Sequence, residues 1–451
     1  MFFKRKPPAS APVPAEVEVE AETETESVDD PVGWDDPEIV DGEALDAEQE
    51  WRRRATAVIP GGASTGSKRP AALLGDDEEP GPAHYLGASG YTVLAVSERR
   101  YVDFTMALGA VSLGYGEPSV VEAVIEAVSR GSVSGLSPAL EVEVAERLCE
   151  VVPCAEGVRF LKSGAESCAA AVRIARTYTG RSQVVGSGYF GLLDWWQGEA
   201  EVGGVPAGAH ADYTPVPFDD VAALRAAVER AGSQLAAIMI EPVVERMPST
   251  EWIAAARELC DRLGAVLIFD EIKTGFRLAT GGYQEYAGVM PDLATFGKAM
   301  ANGFPLAAVV GRRDVMDAAR RTWISSTLAS ETSSLAAARA VLDWHERAEV
   351  CETLWATGAE LRNAAERAVV ASGARGVAVG GIDPMWLFRF DRADDERRFL
   401  AASRREGVLF KRGAYNFACL AHDDAAVAQA ERAASTALVE LAAAQREGGG
   451  R

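Results

Sequence analysis

Between residues 158 and 310 the chain repeats one pattern. A short apolar run gives way to a glycine or polar residue, and a segment long enough for a helix follows. The runs cover residues 158–161, 183–185, 236–240, 265–269, 293–295 and 306–310. Each is too short for a helix and suits a buried strand. Apolar residues recur at helical spacing over 168–178, 221–231, 252–263 and 315–320. Strands joined by helical crossovers run in one direction, so the expected fold is α/β with a mainly parallel sheet flanked by helices.

The flanking segments suggest how the rest is divided. Residues 90–104 read as two short strands around a turn at 97–99, and helical spacing continues over 119–129 and 141–151. Beyond Thr327 come helices over 333–346 and 350–372, then strand-like and helical segments as far as residue 445. The expected organisation is a segment 51–110 packing with a small C-terminal α+β domain, a large domain over 111–325, the small domain over 326–446, and a frayed end at 447–451.

Charge narrows the function classes. Sixteen Asp/Glu and no Lys/Arg lie between Glu16 and Glu50, so this stretch supplies most of the net charge of −22. Its alternating Glu residues have the period of a strand, but the apolar side chains between them are too small and few to offset the entropy of ordering. Residues 1–50 are expected to form a disordered acidic tail. No basic patch is available for phosphate neutralisation, which argues against nucleic acid. No apolar stretch reaches the roughly 18 residues of a membrane span, and the basic start lacks the apolar core of a secretory signal. The six cysteines form no Cys-x-x-Cys pair and read as reduced core residues of a cytoplasmic protein. Four scattered histidines point to no metal site.

Two residues carry the chemical signal. Asp270 ends the run at 265–269, and Lys298 follows the run at 293–295. A lysine able to form a Schiff base, with an aspartate for a pyridinium nitrogen, is what pyridoxal phosphate chemistry needs. Both sit at the carboxyl ends of expected strands, where open α/β sheets hold ligands. Strand alternation places Asp270 with Ile272 on one face and Glu271 with Lys273 on the other, so Ile272 would pack against the cofactor ring. Ser163 and Glu166 have capping-box spacing. Gly164 and Ala165 between them would let a phosphate reach the helix N-terminus, although an ordinary capped helix reads the same. Tyr189 and Phe190, set between glycines, offer an aromatic ring for stacking, with core packing as the alternative.

Further motifs occur in a fixed order: Ser67-Lys-Arg-Pro70, Arg159-Phe with Ser163-Gly-Ala-Glu166, Gly188-Tyr189, Glu241-Pro242, Phe269-Asp-Glu271 with Thr274-Gly-Phe-Arg277, Phe296-Gly-Lys298, Asn302-Gly-Phe-Pro305 and Ser326-Thr327. Over residues 59–434 the chain thereby resembles class III pyridoxal-phosphate-dependent aminotransferases of fold type I, in the glutamate-1-semialdehyde aminotransferase-like branch. The resemblance implies that Lys298 forms the Schiff base, Asp270 pairs with the ring nitrogen, Tyr189 stacks on the ring, and Gly164 and Ala165 bind the phosphate. It implies that Thr327 reaches the phosphate of a neighbouring subunit's cofactor, giving a homodimer with shared active sites. Substrate contacts fall to Lys68, Arg69, Glu166 and Glu241, with the choice between Lys68 and Arg69 open. Four stretches differ from the family pattern: Phe190 stands where a histidine is usual, Glu331-Thr332 replaces Asn-Pro, Ala299-Met-Ala-Asn-Gly303 stands for the Gly-rich stretch after the aminomutase lysine, and Ala95-Val-Ser97-Glu98 for an Asp-x-Asp-Gly hairpin turn.

The function expected from this resemblance is transfer of an amino group from an amino-acid donor to an aldehyde or ketone acceptor, by a ping-pong route through the Lys298 Schiff base. Two alternatives stand beside it. One is intramolecular transfer of the glutamate-1-semialdehyde 2,1-aminomutase type; the other is a non-catalytic partner protein that keeps the fold and binds the cofactor.

Overall fold

The computed structural model describes residues 41–75, 81–197, 203–206 and 208–448. After helix α1 (Asp41–Val58), strands β1 (Tyr85–Ser89), β2 (Thr92–Ala95) and β3 (Arg100–Asp103) form an antiparallel meander. Helices α2 (Pro118–Ser129) and α3 (Ala139–Val151) lead into the central part. There β4 (Gly157–Leu161), α4 (Gly164–Thr179), β5 (Gln183–Ser187), β6 (Tyr213–Pro215), α5 (Val221–Ala231), β7 (Leu235–Ile240), α6 (Thr250–Leu263), β8 (Val266–Asp270), β9 (Leu293–Phe296) and β10 (Ala307–Gly311) follow in order. Their sheet has the order β4-β10-β9-β8-β7-β5-β6. The pairs from β9 to β6 are parallel, whereas β10 runs antiparallel to both neighbours.

The reversal at β10 follows from chain length. The link from Phe296 to Ala307 holds only a 3-10 turn, Lys298–Ala301. That is too little chain for a helical crossover, so β10 can only return beside β9.

Burial explains the near-continuous apolar strands. Every residue of β7 and β8 is buried, as expected for a sheet covered on both faces. Period two sorts them. Leu267 and Phe269 join the core that holds α5 and α6, with Ile238 and Ile240. Val266 and Ile268 join the α4 side, with Ala237, Met239 and Cys168. Asp270 inherits the α4 side from Ile268.

The C-terminal part comprises α7 (Thr332–Arg347), α8 (Val350–Ser372), β11 (Val377–Ile382), β12 (Met385–Phe390), α9 (Ala393–Arg405), β13 (Val408–Leu409), β14 (Asn416–Phe417) and α10 (Asp424–Gly448). Strands β11, β12 and β14 form a separate sheet, and β13 pairs in parallel with β3. A strand near residue 408 thus completes the sheet begun near residue 85.

One expectation is corrected here. Helix α1 already covers Asp41–Val58, so folded chain includes residues before Trp51. The Glu48 carboxylate is buried and accepts bonds from the Ser97 hydroxyl (2.9 Å) and the Ala83 N–H (3.3 Å). Reading the acidic run as uniformly solvated missed that one carboxylate has donors waiting on the β-meander. The remainder of the expected tail, residues 1–40, lies outside the described residues. Strand β6 was also missed, because Tyr213-Thr-Pro215 is too short to show a period.

Candidate active site

Lys298 and Asp270 meet on one cavity of about 370 Å³, together with Gly164, Ala165, Tyr189 and Ile272. Adjacent strand ends bring them there: β8 delivers Asp270, and β9 delivers Lys298 through Gly297. Lys298 has φ 46°, a left-handed conformation that costs a non-glycine residue about 1–3 kcal/mol. The turn is clamped by Asn302, whose Oδ1 accepts from Ser112 N and Leu113 N (3.0 Å each) and whose Nδ2 donates to Gly114 O (3.0 Å). Burial lowers the Lys298 pKa, and the neighbouring Lys273 adds to the effect; Glu241 and Asp270 oppose it.

Asp270 is held from three sides. Its Oδ1 accepts from Ile272 N (3.0 Å) and the Thr295 hydroxyl (3.3 Å), and the Cys168 thiol donates to Oδ2 (3.5 Å). Burial and the nearby Glu241 raise its pKa to about 7, against the Ile272 N–H and Lys298. A carboxylate so placed gains strongly from any cation brought beside it.

At the mouth of α4 the capping box is complete. Ser163 Oγ accepts from Glu166 N (3.3 Å), and Glu166 Oε2 accepts from Ser163 N (2.9 Å) and Lys162 N (3.1 Å). Helix geometry leaves the N–H groups of Gly164 and Ala165 without intrahelical partners. Two glycines allow the close packing around this point. A Cβ on Gly164 would sit 2.6 Å from Ile272 Cδ1, and one on Gly191, at φ +86°, only 2.3 Å from Ala165 Cβ.

A family model described as Aminotransferase class-III matches residues 76–190 and 210–422. The chain belongs to this family. It is 39% identical over 284 residues to glutamate-1-semialdehyde 2,1-aminomutase of Methanothermobacter thermautotrophicus, which covers 60% of this chain and 66% of that protein. It is 31% identical over 404 residues to 3-aminobutyryl-CoA aminotransferase of Cloacimonas acidaminovorans, covering 86% and 95%. Among solved structures, the PLP internal aldimine form of the Sphingopyxis sp. MTA144 FumI protein superposes with a TM-score of 0.83 at 26% identity, over 90% of this chain and 98% of that one. A transaminase with PLP bound gives a TM-score of 0.81 at 26% identity, over 89% and 99%.

This class-III aminotransferase is therefore a fold type I enzyme that uses pyridoxal 5'-phosphate. The residues present fit that group. The cavity offers a lysine amine, a buried carboxylate that gains from a protonated nitrogen, and an anion-receptive helix N-terminus.

The other expected site residues divide clearly. Glu241 lines the cavity, pairs with Lys273 (Oε1 to Nζ, 2.5 Å) and accepts from Tyr189 N through Oε2 (3.1 Å). Glu166 is committed to the helix cap and is not on the cavity wall. Lys68 lines a separate cavity of about 190 Å³ beside Asp103 and Tyr115. The Arg69 side chain lies against Gly61. Thr327 is exposed in the loop before α7, away from the cavity of its own chain. Tyr189 is 65% exposed, whereas Phe190 is 1% exposed and stacks on Trp195 (5.8 Å between centroids). The family's histidine position is thus filled by a core residue that also lines the cavity.

Strand alternation misplaced Lys273. Strand β8 stops at Asp270 and the chain turns at once, so the period of two ends there. Asp270, Ile272 and Lys273 all reach the cavity. Glu271 instead turns inward, bonded by the Thr274 hydroxyl and by the N–H groups of Tyr283 (2.8 Å) and Gln284 (3.0 Å). The Glu331-Thr332 departure also has a physical account. Glu331 caps α7 and pairs with Lys162 at 2.7 Å. Burial works against its charge, yet Lys162 and the Ser333 and Ser334 donors hold its pKa at about 2.

Proposed function

We propose that this cavity catalyses transfer of an amino group from an amino-acid donor to a separate aldehyde or ketone, in two half-reactions on one site. The meeting of Lys298, Asp270 and the α4 N-terminus on a single wall carries the reading. In it, the N–H groups of Gly164 and Ala165 receive the cofactor phosphate, and Tyr189 and Ile272 pack against its ring. Asp270 holds a proton on the ring nitrogen. When bound, pyridoxal phosphate supplies a carbonyl that captures amines and a ring that takes up the electron pair released at the substrate carbon. Lys298 anchors the cofactor covalently between turnovers, and its freed Nζ carries the proton to and from the substrate carbon. The surrounding protein keeps bulk water from that nitrogen, which favours the neutral, basic form.

The reading extends to a cytoplasmic homodimer in which Thr327 of the partner subunit completes the phosphate site. Trp323 and Leu328 beside Thr327 are exposed, as are Val133 and Leu136. Thr332 N donates to Ser132 O (2.9 Å), which draws these two loops together. An apolar patch of this kind is what a second copy would cover. The same reading assigns the substrate carboxylate to Lys68 or Arg69. The six free cysteines support a reducing compartment. The division at residues 110 and 325 belongs to the same reading, with the β3–β13 pairing supporting joint movement of segments 51–110 and 326–446.

The identity to a protein named as an aminomutase favours a second reading, intramolecular transfer. A screen of amino donors against carbonyl acceptors separates the two. Intermolecular transfer requires both substrates and converts the cofactor from its aldehyde to its amine form with donor alone. Turnover of a single amino-aldehyde with no acceptor would establish the second reading instead.

A further inference from the structure

Sequence alternation turned Lys273 away from the site, yet it stands on the wall of the Lys298 cavity and is nearly buried. Its Nζ lies 2.5 Å from Glu241 Oε1 and 4.4 Å from the centre of the Tyr415 ring, with the Tyr415 hydroxyl at 3.4 Å. Tyr415 is itself fixed, since its hydroxyl accepts from Glu245 N (2.7 Å). Glu241 is fixed by Tyr189 N. The ammonium is therefore pinned rather than free to swing away.

We infer that Lys273 is a positioning residue for Lys298: held by Glu241 and Tyr415 on the shared wall, its fixed ammonium keeps a proton off the Lys298 nitrogen. This rests on the reading that Lys298 carries the cofactor. Two amines in one low-dielectric site cannot both hold a charge cheaply, and the surroundings decide which does. Burial disfavours charge on Lys273, but Glu241 and Tyr415 more than compensate and raise its pKa. Among the described residues Lys298 has no such close partner. Glu241 at the end of β7 and Asp270 at the end of β8 favour its proton, while Lys273 and Arg277 from the loop after β8 oppose it. Lys162, also on the wall, is occupied by Glu331. A second cation beside a lysine nucleophile is a known way to keep the amine neutral and reactive.

The test is a pH titration of the bound cofactor's absorbance in the holoenzyme, read beside activity. Lys273→Met should raise the midpoint by about one pH unit, a tenfold gain in proton affinity, and Lys273→Arg should restore it. Because Lys273→Met also leaves Glu241 unpaired, Glu241→Gln is compared with the Glu241→Gln/Lys273→Met pair. The double variant should titrate higher than Glu241→Gln alone. Equal midpoints in that comparison overturn the inference, as does an unmoved midpoint in Lys273→Met accompanied only by a higher KM for anionic donors. Borohydride reduction and peptide mapping of each variant keep the two readings apart. Label on Lys298 with unmoved midpoints defeats this inference alone, whereas label on Lys273 defeats the assignment of Lys298.

Discussion

At the scale of single residues, the site is a contest over protons. Borohydride reduction of the holoenzyme should fix the cofactor to Lys298 and to none of the other six lysines. Lys298→Ala should still bind donor but fail to turn over, since the base is gone. Asp270 makes two separable predictions. With cofactor bound, Asp270→Asn should lower the rate by about 100-fold or more, because the ring loses its charged partner. In protein stripped of cofactor the same change should stabilise. The folded-state pKa of Asp270 is raised to about 7 from 3.8. The carboxyl is comfortable when protonated, and stability falls as pH rises from about 4 to 7. The cost at pH 8 is at most on the order of 4 kcal/mol. Thermal melts of stripped wild type and Asp270→Asn should therefore coincide near pH 4, separate as pH rises to about 7 with the variant melting higher, and keep that gap above it. A variant that melts lower at pH 8 would assign Asp270 a purely structural, charge-stabilised role. Tyr189 and Phe190 show the limit of reading at this scale. Both are aromatics between glycines; only the packed structure shows which one the core at Trp195 and Tyr213 takes.

At the scale of elements, the turn after β9 matters most. Its left-handed Lys298 and Asn302 are held by the Asn302 amide against residues 112–114, about 190 positions away in sequence. Asn302→Ala removes the acceptor for two buried N–H groups, each worth about 1–3 kcal/mol. Unfolding in urea should show a loss of about 2–6 kcal/mol with weakened cofactor retention. Asn302→Asp keeps the acceptor but sets a buried carboxylate oxygen against Gly114 O, so it should destabilise as well. Wild-type stability in the alanine variant would show that the clamp is dispensable. Helix α1 makes a similar link through Glu48. A chain beginning at Trp51 should melt below one beginning at Asp41, through loss of carboxylate bonds worth about 1–3 kcal/mol. Equal melting temperatures would mean that Glu48 contributes nothing net. The acidic composition hid this contact, because composition averages over a run in which one carboxylate has partners.

At the scale of the whole molecule, the active enzyme should be a dimer with shared sites. Thr327→Val should weaken cofactor retention, since it removes a hydroxyl that would bond the phosphate with roughly 1.5–3 kcal/mol while the backbone N–H stays. Mixing inactive Lys298→Ala with Thr327→Val subunits gives the sharper measurement. If Thr327 acts across the interface, one site of each heterodimer carries both lesions and the other is wild type, so activity recovers. Verified heterodimers with no recovery, or a fully active monomer in sedimentation, would refute sharing.

What the sequence determined by itself is local. Apolar runs and helical spacing specify strands and helices, because each depends on neighbours within a few residues. The strand ends then place Asp270 and Lys298 at one edge of the sheet, and the Ser163–Glu166 capping box follows from four adjacent residues. Tertiary structure decided what depends on strand order and on chain distant in sequence. It reversed β10, because a short link leaves no room for a crossover. It brought Glu48 to Ser97, Asn302 to Ser112, and Lys162 to Glu331. It also turned Lys273 onto Glu241 where the strand, and with it the alternation, ends. No period encodes such pairs. They form only once the sheet has set which strand ends are neighbours.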